Sequence, residues 1–181
     1  MPKGLILLHS GFEDVEAIAT IDILRRAKID LDLVSLDNND LVTQTGINLK
    51  SEKIYKDVNL KDYDFLVIPG GGAVFKYLHK RNEVSEIIKV FAKSNKLIAT
   101  ICAAPSLVGK LGYFEDKKFT CFPGCESGIS GKYTGKGVEV VDNFITAKSM
   151  AYTIDFALEI VKYLLGKDAA SIVSDAIYAK K

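Results

Sequence analysis

The sequence has almost no excess of charge of either sign. It contains 24 Lys and Arg residues against 23 Asp and Glu residues, which gives a formal net charge of +1. The basic residues form neither a stripe nor a long run. Because binding to a phosphate backbone needs clustered Lys and Arg, the sequence disfavours nucleic acid as the main partner.

The sequence also has few cysteines and no long apolar run. Three cysteines, an odd number in 181 residues, do not make a disulfide framework. No apolar stretch reaches the length of a membrane span, so a membrane partner is not expected. Residues 1–4 lead directly into a strand pattern, without the apolar region and cleavage site of a signal peptide. We therefore expect a cytoplasmic protein.

What is present is an ordinary globular composition, with 48% apolar and 26% charged residues, and we expect one domain over residues 1–181. Strand and helix patterns alternate along the chain, which predicts an α/β sandwich around a mainly parallel sheet. The predicted strands are residues 4–8, 29–36, 65–68, 97–101 and 117–122, with hairpins over 41–51 and 138–147. The predicted longer helices are residues 15–27, 84–94, 151–165 and 168–179.

The apolar run at residues 97–101 ends at a thiol, Cys102, and Pro105 opens a second apolar stretch with helical spacing. Pro is tolerated in the first turn of a helix because its missing N–H would be unpaired there. The pattern predicts a strand, a one-residue elbow at Cys102 and a helix, whose N-terminus favours thiolate. The alternative is that Cys102 is a small buried apolar residue, as most free cysteines are.

Two further turns are predicted at the same edge of the sheet. Residues 9–12 follow the first strand, and residues 70–72, three glycines, follow the strand at 65–68. Glycines after a strand let the backbone approach a ligand and point N–H groups at an anion, but their spacing excludes a dinucleotide fingerprint and a P-loop. Because ligands bind at the carboxyl ends of parallel strands, we expect the three turns to form the functional site.

Glu16 lies on a predicted helix that is apolar over most of its circumference. Such a helix is covered on both sides, here by the sheet and a partner subunit. A carboxylate in apolar surroundings needs a partner or must take up a proton. The alternative is that Glu16 is an ordinary surface acid near the helix N-terminus.

Six segments, spread in order over almost the whole chain, carry a family resemblance. They are residues 11–17, 22–27, 64–71, 98–105, 120–124 and 153–158. Through them the chain resembles the ThiJ/PfpI family, and within it the branch of the parkinsonism-associated deglycase and its bacterial relatives. The resemblance implies a flavodoxin-like fold and a homodimer packed partly through the first helix.

The resemblance also implies roles for individual residues. It makes Cys102 the reactive nucleophile and Glu16 the carboxyl group beside it, and it assigns Gly70, Gly71 and the amide of Ala103 to an oxyanion site. A protonated Glu16 can donate a hydrogen bond to the thiolate, and N–H groups can stabilise a developing alkoxide.

The sequence departs from the family pattern at two places. Some relatives have a histidine next to the nucleophile where this chain has Phe122, so no Cys–His pair is carried over. The family commonly has a Gly-Pro-Gly turn at residues 148–152, and Met150 and Tyr152 are expected to reshape or narrow the pocket. His9 either approaches the site from the first turn or is an ordinary turn histidine.

The remaining candidates for chemistry are weaker. His79 lies in a Lys/Arg-rich segment and is expected to be solvated. Cys121 and Cys125 are four residues apart with no second thiol pair or nearby histidine, so no zinc site is expected. One of the two is a candidate resolving thiol for oxidised Cys102.

The resemblance leads to functions of different classes. The first is an enzyme in which Cys102 forms a hemithioacetal and Glu16 moves the proton. It makes 2-hydroxy acids from methylglyoxal (glyoxalase III) or removes early glycation adducts from proteins (deglycase). No cofactor is expected, because the redox change is internal to the substrate. The second is an oxidative-stress sensor with chaperone behaviour, in which Cys102 becomes a sulfinic acid. A cysteine peptidase is the third, and the missing histidine weakens it.

Overall fold

A mainly parallel seven-stranded sheet with helices on both faces forms the centre of the molecule. The computed structural model describes residues 1–179. Its strands are β1 (Lys3–Leu8), β2 (Asp30–Ser35), β3 (Asp40–Val42), β4 (Asn48–Lys50), β5 (Lys53–Ile54), β6 (Phe65–Ile68), β7 (Leu97–Ile101), β8 (Lys118–Phe119), β9 (Lys132–Tyr133), β10 (Val138–Val141) and β11 (Phe144–Ala147). Its helices are α1 (Asp14–Arg26), α2 (Gly72–Lys76), α3 (Asn82–Lys93), α4 (Pro105–Gly109), α5 (Thr153–Leu165) and α6 (Lys167–Ala176).

The strand order in the large sheet is β10-β11-β7-β6-β1-β2-β5. All neighbouring strands are parallel except β10, which runs antiparallel to β11. In the centre of the sheet Leu66 of β6 pairs with Leu5 on one side and Ile98 on the other. Strands β3 and β4 form a separate antiparallel hairpin, and β8 pairs with β9.

Apolar side chains fill both faces of the sheet. Along β6, Leu66 and Ile68 belong to one core, which α3 and α4 cover, whereas Phe65 and Val67 belong to the other, which α1 and α5 cover. Strands buried on both faces have continuous apolar sequences instead of alternating ones. The predicted α/β sandwich around a mainly parallel sheet is therefore confirmed.

The strand predicted at residues 117–122 is wrong in length, because only Lys118–Phe119 pairs in a ladder. Thr120 leaves the ladder, since its N–H donates to the hydroxyl of Thr146 and its own hydroxyl donates to the carbonyl of Lys136. The longer predicted helices are observed as α1, α3, α5 and α6, with shifts of one to three residues at some ends. Within residues 1–179, no helix has the length and apolarity needed to cross a bilayer.

Helix α1 begins with a side-chain cap and leaves part of its apolar surface exposed. Glu13 precedes it, and its Oε2 accepts a hydrogen bond from the N–H of Glu16 at 2.8 Å. Ala17 is buried against the sheet, whereas Val15 and Ile18 are 45% and 41% exposed. The sheet therefore covers only one side of this helix.

Candidate active site

Three turns meet at the carboxyl edge of the sheet and border one cavity of about 520 Å³. They follow β1, β6 and β7, and they bring Glu16, Gly71, Cys102 and Ala103 into its lining. The turn of the β3–β4 hairpin and the residues that precede α5 complete the wall. The topology thus places these sequence-predicted residues together, as expected for a parallel sheet.

Cys102 lies in a tight turn between β7 and α4. Its φ of +64° is uncommon for a residue with a side chain. The turn is held from two sides, because the N–H of Cys102 donates to the carbonyl of Ala147 at 2.9 Å and its carbonyl accepts from the N–H of Phe122 at 2.7 Å. The thiol is partly exposed to the cavity. A strained conformation fixed by neighbouring segments is a common property of functional residues.

Glu16 presents a buried carboxyl group to the same point. It is 1% exposed, and its Oε2 accepts a hydrogen bond from the N–H of Gly70 at 2.9 Å. Its Oε1 is buried without a hydrogen-bond partner within residues 1–179. Burial raises the pKa of Glu16 to about 7, and the negative charge of Glu13 adds to this effect. The carboxyl group therefore gains and loses its proton near neutral pH.

The expectation that the α4 N-terminus favours a thiolate stays a prediction, and the surroundings of Cys102 contain groups that act against it as well as for it. Burial raises the pKa of the Cys102 thiol above its ordinary value, and the charge of Glu16 and a hydrogen bond to it raise it further. The amides of Ala103 and Gly71 act in the opposite direction but are outweighed. The thiol and the carboxyl group form a coupled pair, in which a proton on Glu16 removes the charge that opposes a thiolate on Cys102.

The three backbone groups assigned to an oxyanion have different roles in the structure. The amides of Gly71 and Ala103 face the sulfur of Cys102 and lower its pKa. The N–H of Gly70, in contrast, is already bonded to Glu16. Gly70 is therefore corrected from an oxyanion donor to the residue that orients the carboxyl group, and two amides remain for a developing negative charge.

Gly70 is also the position where the site has no room for a side chain. A Cβ atom there would lie 2.7 Å from Cβ of Cys102 and 2.7 Å from Oε2 of Glu16. We expect Gly70→Ala to destabilise the fold by about 1–3 kcal/mol, because the added methyl group overlaps with Cys102 and Glu16 and forces their side chains apart. The matched control is Gly72→Ala, whose Cβ would come no closer than 3.6 Å to Gln44, and whose effect should stay within about 0.5 kcal/mol. Urea unfolding of both variants checks this, and equal destabilisation would contradict it.

Several residues of the cavity wall, among them Phe75, Glu13 and Gln44, were not predicted from the sequence. Glu13 lies beside Glu16, and Gln44 extends from the β3–β4 hairpin. The Oε1 atom of Gln44 accepts a hydrogen bond from the N–H of Gly72 at 2.6 Å, which links the hairpin to the glycine turn. The acidic start of α1 was a visible signal for Glu13, whereas no local pattern points to Gln44.

Buried Asp14 holds this hairpin in place. Its carboxylate accepts hydrogen bonds from the hydroxyl groups of Thr43 and Thr45 at 2.5 and 2.6 Å. Burial opposes the charge of Asp14, but these hydrogen bonds together lower its pKa. The carbonyl of Phe12 also accepts from the N–H of Gln44. The start of α1 therefore positions Glu13 and Glu16 and also the opposite wall of the cavity.

The mouth of the cavity is apolar. Phe75, Phe122 and Met150 line it and are 57%, 47% and 53% exposed. Phe122 and Met150 therefore lie where the sequence predicted them, at the pocket. Exposed apolar side chains around a cavity favour ligands with an apolar part.

Two other predicted pocket residues lie elsewhere. His9 points away from the cavity, because its Nε2 pairs with Oδ2 of Asp37 at 3.2 Å and its ring stacks on Tyr77. Tyr152 is not part of the cavity lining, since its ring packs against Gly137, where a Cβ would clash with it. Of the two alternatives for His9, the structure supports the ordinary turn histidine, and the expectation for Tyr152 is corrected; each side chain is held by a partner distant in sequence.

The remaining histidine and cysteines lie outside the cavity lining. His79 is not solvated as expected: its Nε2 lies 2.9 Å from the hydroxyl of Ser106, and burial lowers its pKa. Cys121 and Cys125 are buried free thiols. Residues 1–179 contain no group of three or more His, Cys, Asp or Glu side chains that could hold a metal ion. The role of a resolving thiol stays a prediction.

Comparison with known proteins gives a consistent set of relatives. The model of the DJ-1/PfpI family matches residues 2–163. The chain is 32% identical to Protein DJ-1alpha of Drosophila melanogaster over 180 residues, which cover 97% of this chain and 83% of the fly protein. It is 30% identical to Protein DJ-1 homolog B of Arabidopsis thaliana over 178 residues, covering 97% of this chain but only 41% of the plant protein's length. The crystal structure of Drosophila DJ-1beta superposes with a TM-score of 0.92 at 26% identity, with both chains covered completely.

Proposed function

The chain belongs to the DJ-1/PfpI family, and we propose that it is a glyoxalase III or deglycase-type enzyme that acts on methylglyoxal or early glycation adducts through Cys102. The observation that carries the proposal is a partly exposed thiol beside a buried carboxyl group whose pKa is about 7, at the base of a cavity. A carboxyl group that titrates near neutral pH can accept and return a proton within one reaction cycle.

The first step joins the thiol to the aldehyde. Sγ of Cys102 attacks the aldehyde carbon while the carboxylate of Glu16 takes the thiol proton, so the resting site needs no free thiolate. The carbonyl electron pair moves to the aldehyde oxygen, where the amides of Gly71 and Ala103 stabilise the alkoxide. Glu16 then gives its proton to this oxygen, and the product is a neutral hemithioacetal.

The redox change takes place inside the substrate. The carboxylate of Glu16 removes the proton from the former aldehyde carbon, and the electron pair of that C–H bond forms the double bond of an enediolate. Return of the proton to the neighbouring carbon, with a proton transfer between the two oxygens, gives the thioester of a 2-hydroxy acid. One carbon has been oxidised and its neighbour reduced, so the step consumes no external oxidant.

Water completes the cycle. It adds to the thioester carbon, the C–S bond breaks, and sulfur keeps the electron pair and takes up a proton. For methylglyoxal the sum is addition of one water to give lactic acid. For an early glycation adduct, the amine or thiol of the glycated protein leaves with the proton of Cys102 as sulfur takes its place on the same carbon.

The size of the cavity supports substrates larger than methylglyoxal. Its volume of about 520 Å³ lies within the range of roughly 300–1,000 Å³ that is common for pockets of drug-sized ligands. Methylglyoxal, with five heavy atoms, leaves most of this space empty. The apolar mouth formed by Phe75, Phe122 and Met150 supports an aromatic or peptide-like extension of the substrate.

The proposal predicts that the purified protein converts methylglyoxal to lactate in equal amounts. Methylglyoxal loss and lactate formation are measured in parallel, with glycated N-acetyl-lysine as a second substrate. Protein whose Cys102 has been blocked with iodoacetamide serves as the control and should form no lactate. Loss of methylglyoxal without lactate would mean that the protein only traps the aldehyde, and it would contradict the enzyme proposal.

The same site supports a thiol sensor as the second candidate function. The amides of Gly71 and Ala103 face the sulfur of Cys102 and are suited to hold oxygen atoms bound to it. Two peroxide molecules each transfer one oxygen to the thiol and leave as water, which gives the sulfinic acid. A mass gain of two oxygen atoms on Cys102 under mild peroxide, together with no lactate formation, favours the sensor. A peptidase has less support, since neither His9 nor His79 lines the cavity.

The proposal includes a cytoplasmic homodimer packed through α1. The exposed side chains of Val15 and Ile18 on α1, together with Ile154 on α5, which is 39% exposed, support such an interface. Apolar side chains grouped on a helix surface are typical of contacts between proteins.

A further inference from the structure

The cavity around Cys102 contains carboxylates but no basic side chain in its lining. Glu13 and Glu16 supply two carboxyl groups, and none of the Lys, Arg or His residues within 1–179 lines the cavity. None of the ion pairs within the described chain involves either glutamate. Their negative charge is therefore not neutralised by a cationic partner among these residues.

The charge of Glu13 acts directly on the reacting groups. Its Oε2 accepts a hydrogen bond from the N–H of Glu16 at 2.8 Å, which fixes the carboxylate of Glu13 beside Glu16. Burial is the main cause of the raised pKa of Glu16, and the negative charge of Glu13 is a further cause. A field that disfavours a second negative charge on Glu16 also disfavours an anionic group on a ligand placed beside it.

The polar groups that oppose this field carry only partial charges. The amides of Gly71 and Ala103 face the sulfur, and the side-chain NH₂ of Gln44 donates no hydrogen bond within residues 1–179, whereas its Oε1 accepts from Gly72. These groups can bind a carbonyl or hydroxyl oxygen. Lys76 lies near the rim of the cavity, with its Cε 3.9 Å from the point where a Cβ added to Gly72 would lie. Its side chain is exposed, so water and salt screen its charge.

We propose that Glu13 determines the charge selectivity of this site, so that the cavity accepts neutral and cationic carbonyl compounds and rejects those that carry a carboxylate or a phosphate. Two unit charges about 6 Å apart in a partly solvated cavity give a discrimination of roughly three- to tenfold. The identification of the ligand as a carbonyl substrate rests on the proposed function, whereas the charge selectivity of Cys102 does not.

The charge selectivity is tested with two alkylating reagents of nearly equal shape. Iodoacetamide is neutral and iodoacetate is an anion, and the rate at which each modifies Cys102 is followed by intact mass with peptide mapping. The ratio of the two rates is divided by the ratio measured with N-acetylcysteinamide. Because the fraction of thiolate is the same for both reagents, the normalised ratio reports the field at the sulfur alone.

We expect the normalised ratio to favour iodoacetamide by roughly three- to tenfold in the wild type and to decrease in Glu13→Gln, where only the charge of Glu16 remains. Gln keeps the oxygen that caps Glu16, so the fold should persist. The matched control is Glu86→Gln, which removes the same charge from an exposed position on α3 and should leave the ratio unchanged. Added salt should lower the wild-type ratio. A ratio near one in the wild type, or an unchanged ratio in Glu13→Gln, would overturn the inference.

A second measurement separates this inference from the proposed function. Phenylglyoxal and para-carboxyphenylglyoxal differ by one carboxylate, and kcat/KM should be higher for the neutral compound in the wild type and more nearly equal in Glu13→Gln. If neither compound is turned over while the alkylation ratio is high, the enzyme proposal fails and the charge selectivity stands. If both are turned over and the alkylation ratio is near one, the selectivity fails and the enzyme stands.

Discussion

Cys102→Ser is expected to lower kcat/KM for methylglyoxal by more than about a thousandfold, because a hydroxyl group is a far weaker nucleophile than a thiol. Ser is nearly isosteric, so the turn between β7 and α4 should keep its hydrogen bonds to Ala147 and Phe122. The measurement is lactate formation at saturating and at low substrate, with thermal unfolding to confirm that the variant is folded.

Cys125→Ser is the matched control for this loss. It removes a thiol that is a candidate resolving residue but lies outside the cavity lining, and turnover should stay close to the wild-type rate. Turnover that persists in Cys102→Ser would contradict the nucleophile assignment. A loss of turnover in both variants would indicate that a second thiol takes part in the cycle.

Glu16→Gln is expected to have the second largest effect, a decrease in kcat/KM of about 10²–10⁴-fold. Gln keeps an oxygen that can accept from the N–H of Gly70, so the local structure should persist, but it cannot take the thiol proton. In the wild type, kcat/KM should rise with pH up to about 7, where Glu16 becomes ionised, and then level off. The variant should lack this inflection, and a wild-type profile that falls through the same range would contradict the role of Glu16 as a base.

The same substitution should change the pH dependence of stability in a predictable direction. Folding raises the pKa of Glu16 from 4.5 to about 7, so between these values the folded state binds more protons than the unfolded state. Stability that this group contributes is complete at low pH and is lost as pH rises through about 7. Relative to wild type, Glu16→Gln should therefore gain about 2–3 kcal/mol in free energy of unfolding between about pH 5 and pH 8. Urea unfolding at both pH values measures this gain, and a loss would show that the carboxylate is stabilised in the folded state.

The parts of the site that lie on strand ends could be predicted from the sequence. Cys102 directly follows the strand run of β7, and Gly70 follows that of β6 after one proline; the topology of a parallel sheet brings such positions to one edge. Glu16 was detectable because a carboxylate among apolar residues requires an explanation. In these cases a short-range pattern and a general rule of topology were sufficient.

The rest of the site depends on contacts between residues far apart in sequence. Gln44 reaches the cavity because Asp14 holds the hairpin, which no pattern in residues 41–51 indicates. The place of His9 after β1 left open whether it reaches the site, and a contact with Asp37, distant in sequence, directs it elsewhere. Burial is also the main cause that raises the pKa of the Cys102 thiol, and the sequence around Pro105 does not indicate how deeply the thiol is buried.

The two backbone hydrogen bonds of Cys102 have a consequence for the dynamics of the molecule. They attach the turn to β11 on one side and to the segment after β8 on the other, so the strained conformation cannot relax by fraying of a single loop. Amide hydrogen exchange at Cys102 therefore requires an opening that breaks its hydrogen bond to Ala147 at the carboxyl end of the β7–β11 ladder. The reactive geometry is then lost when this end of the ladder opens, so protection of the Cys102 amide from exchange measures how long the geometry lasts.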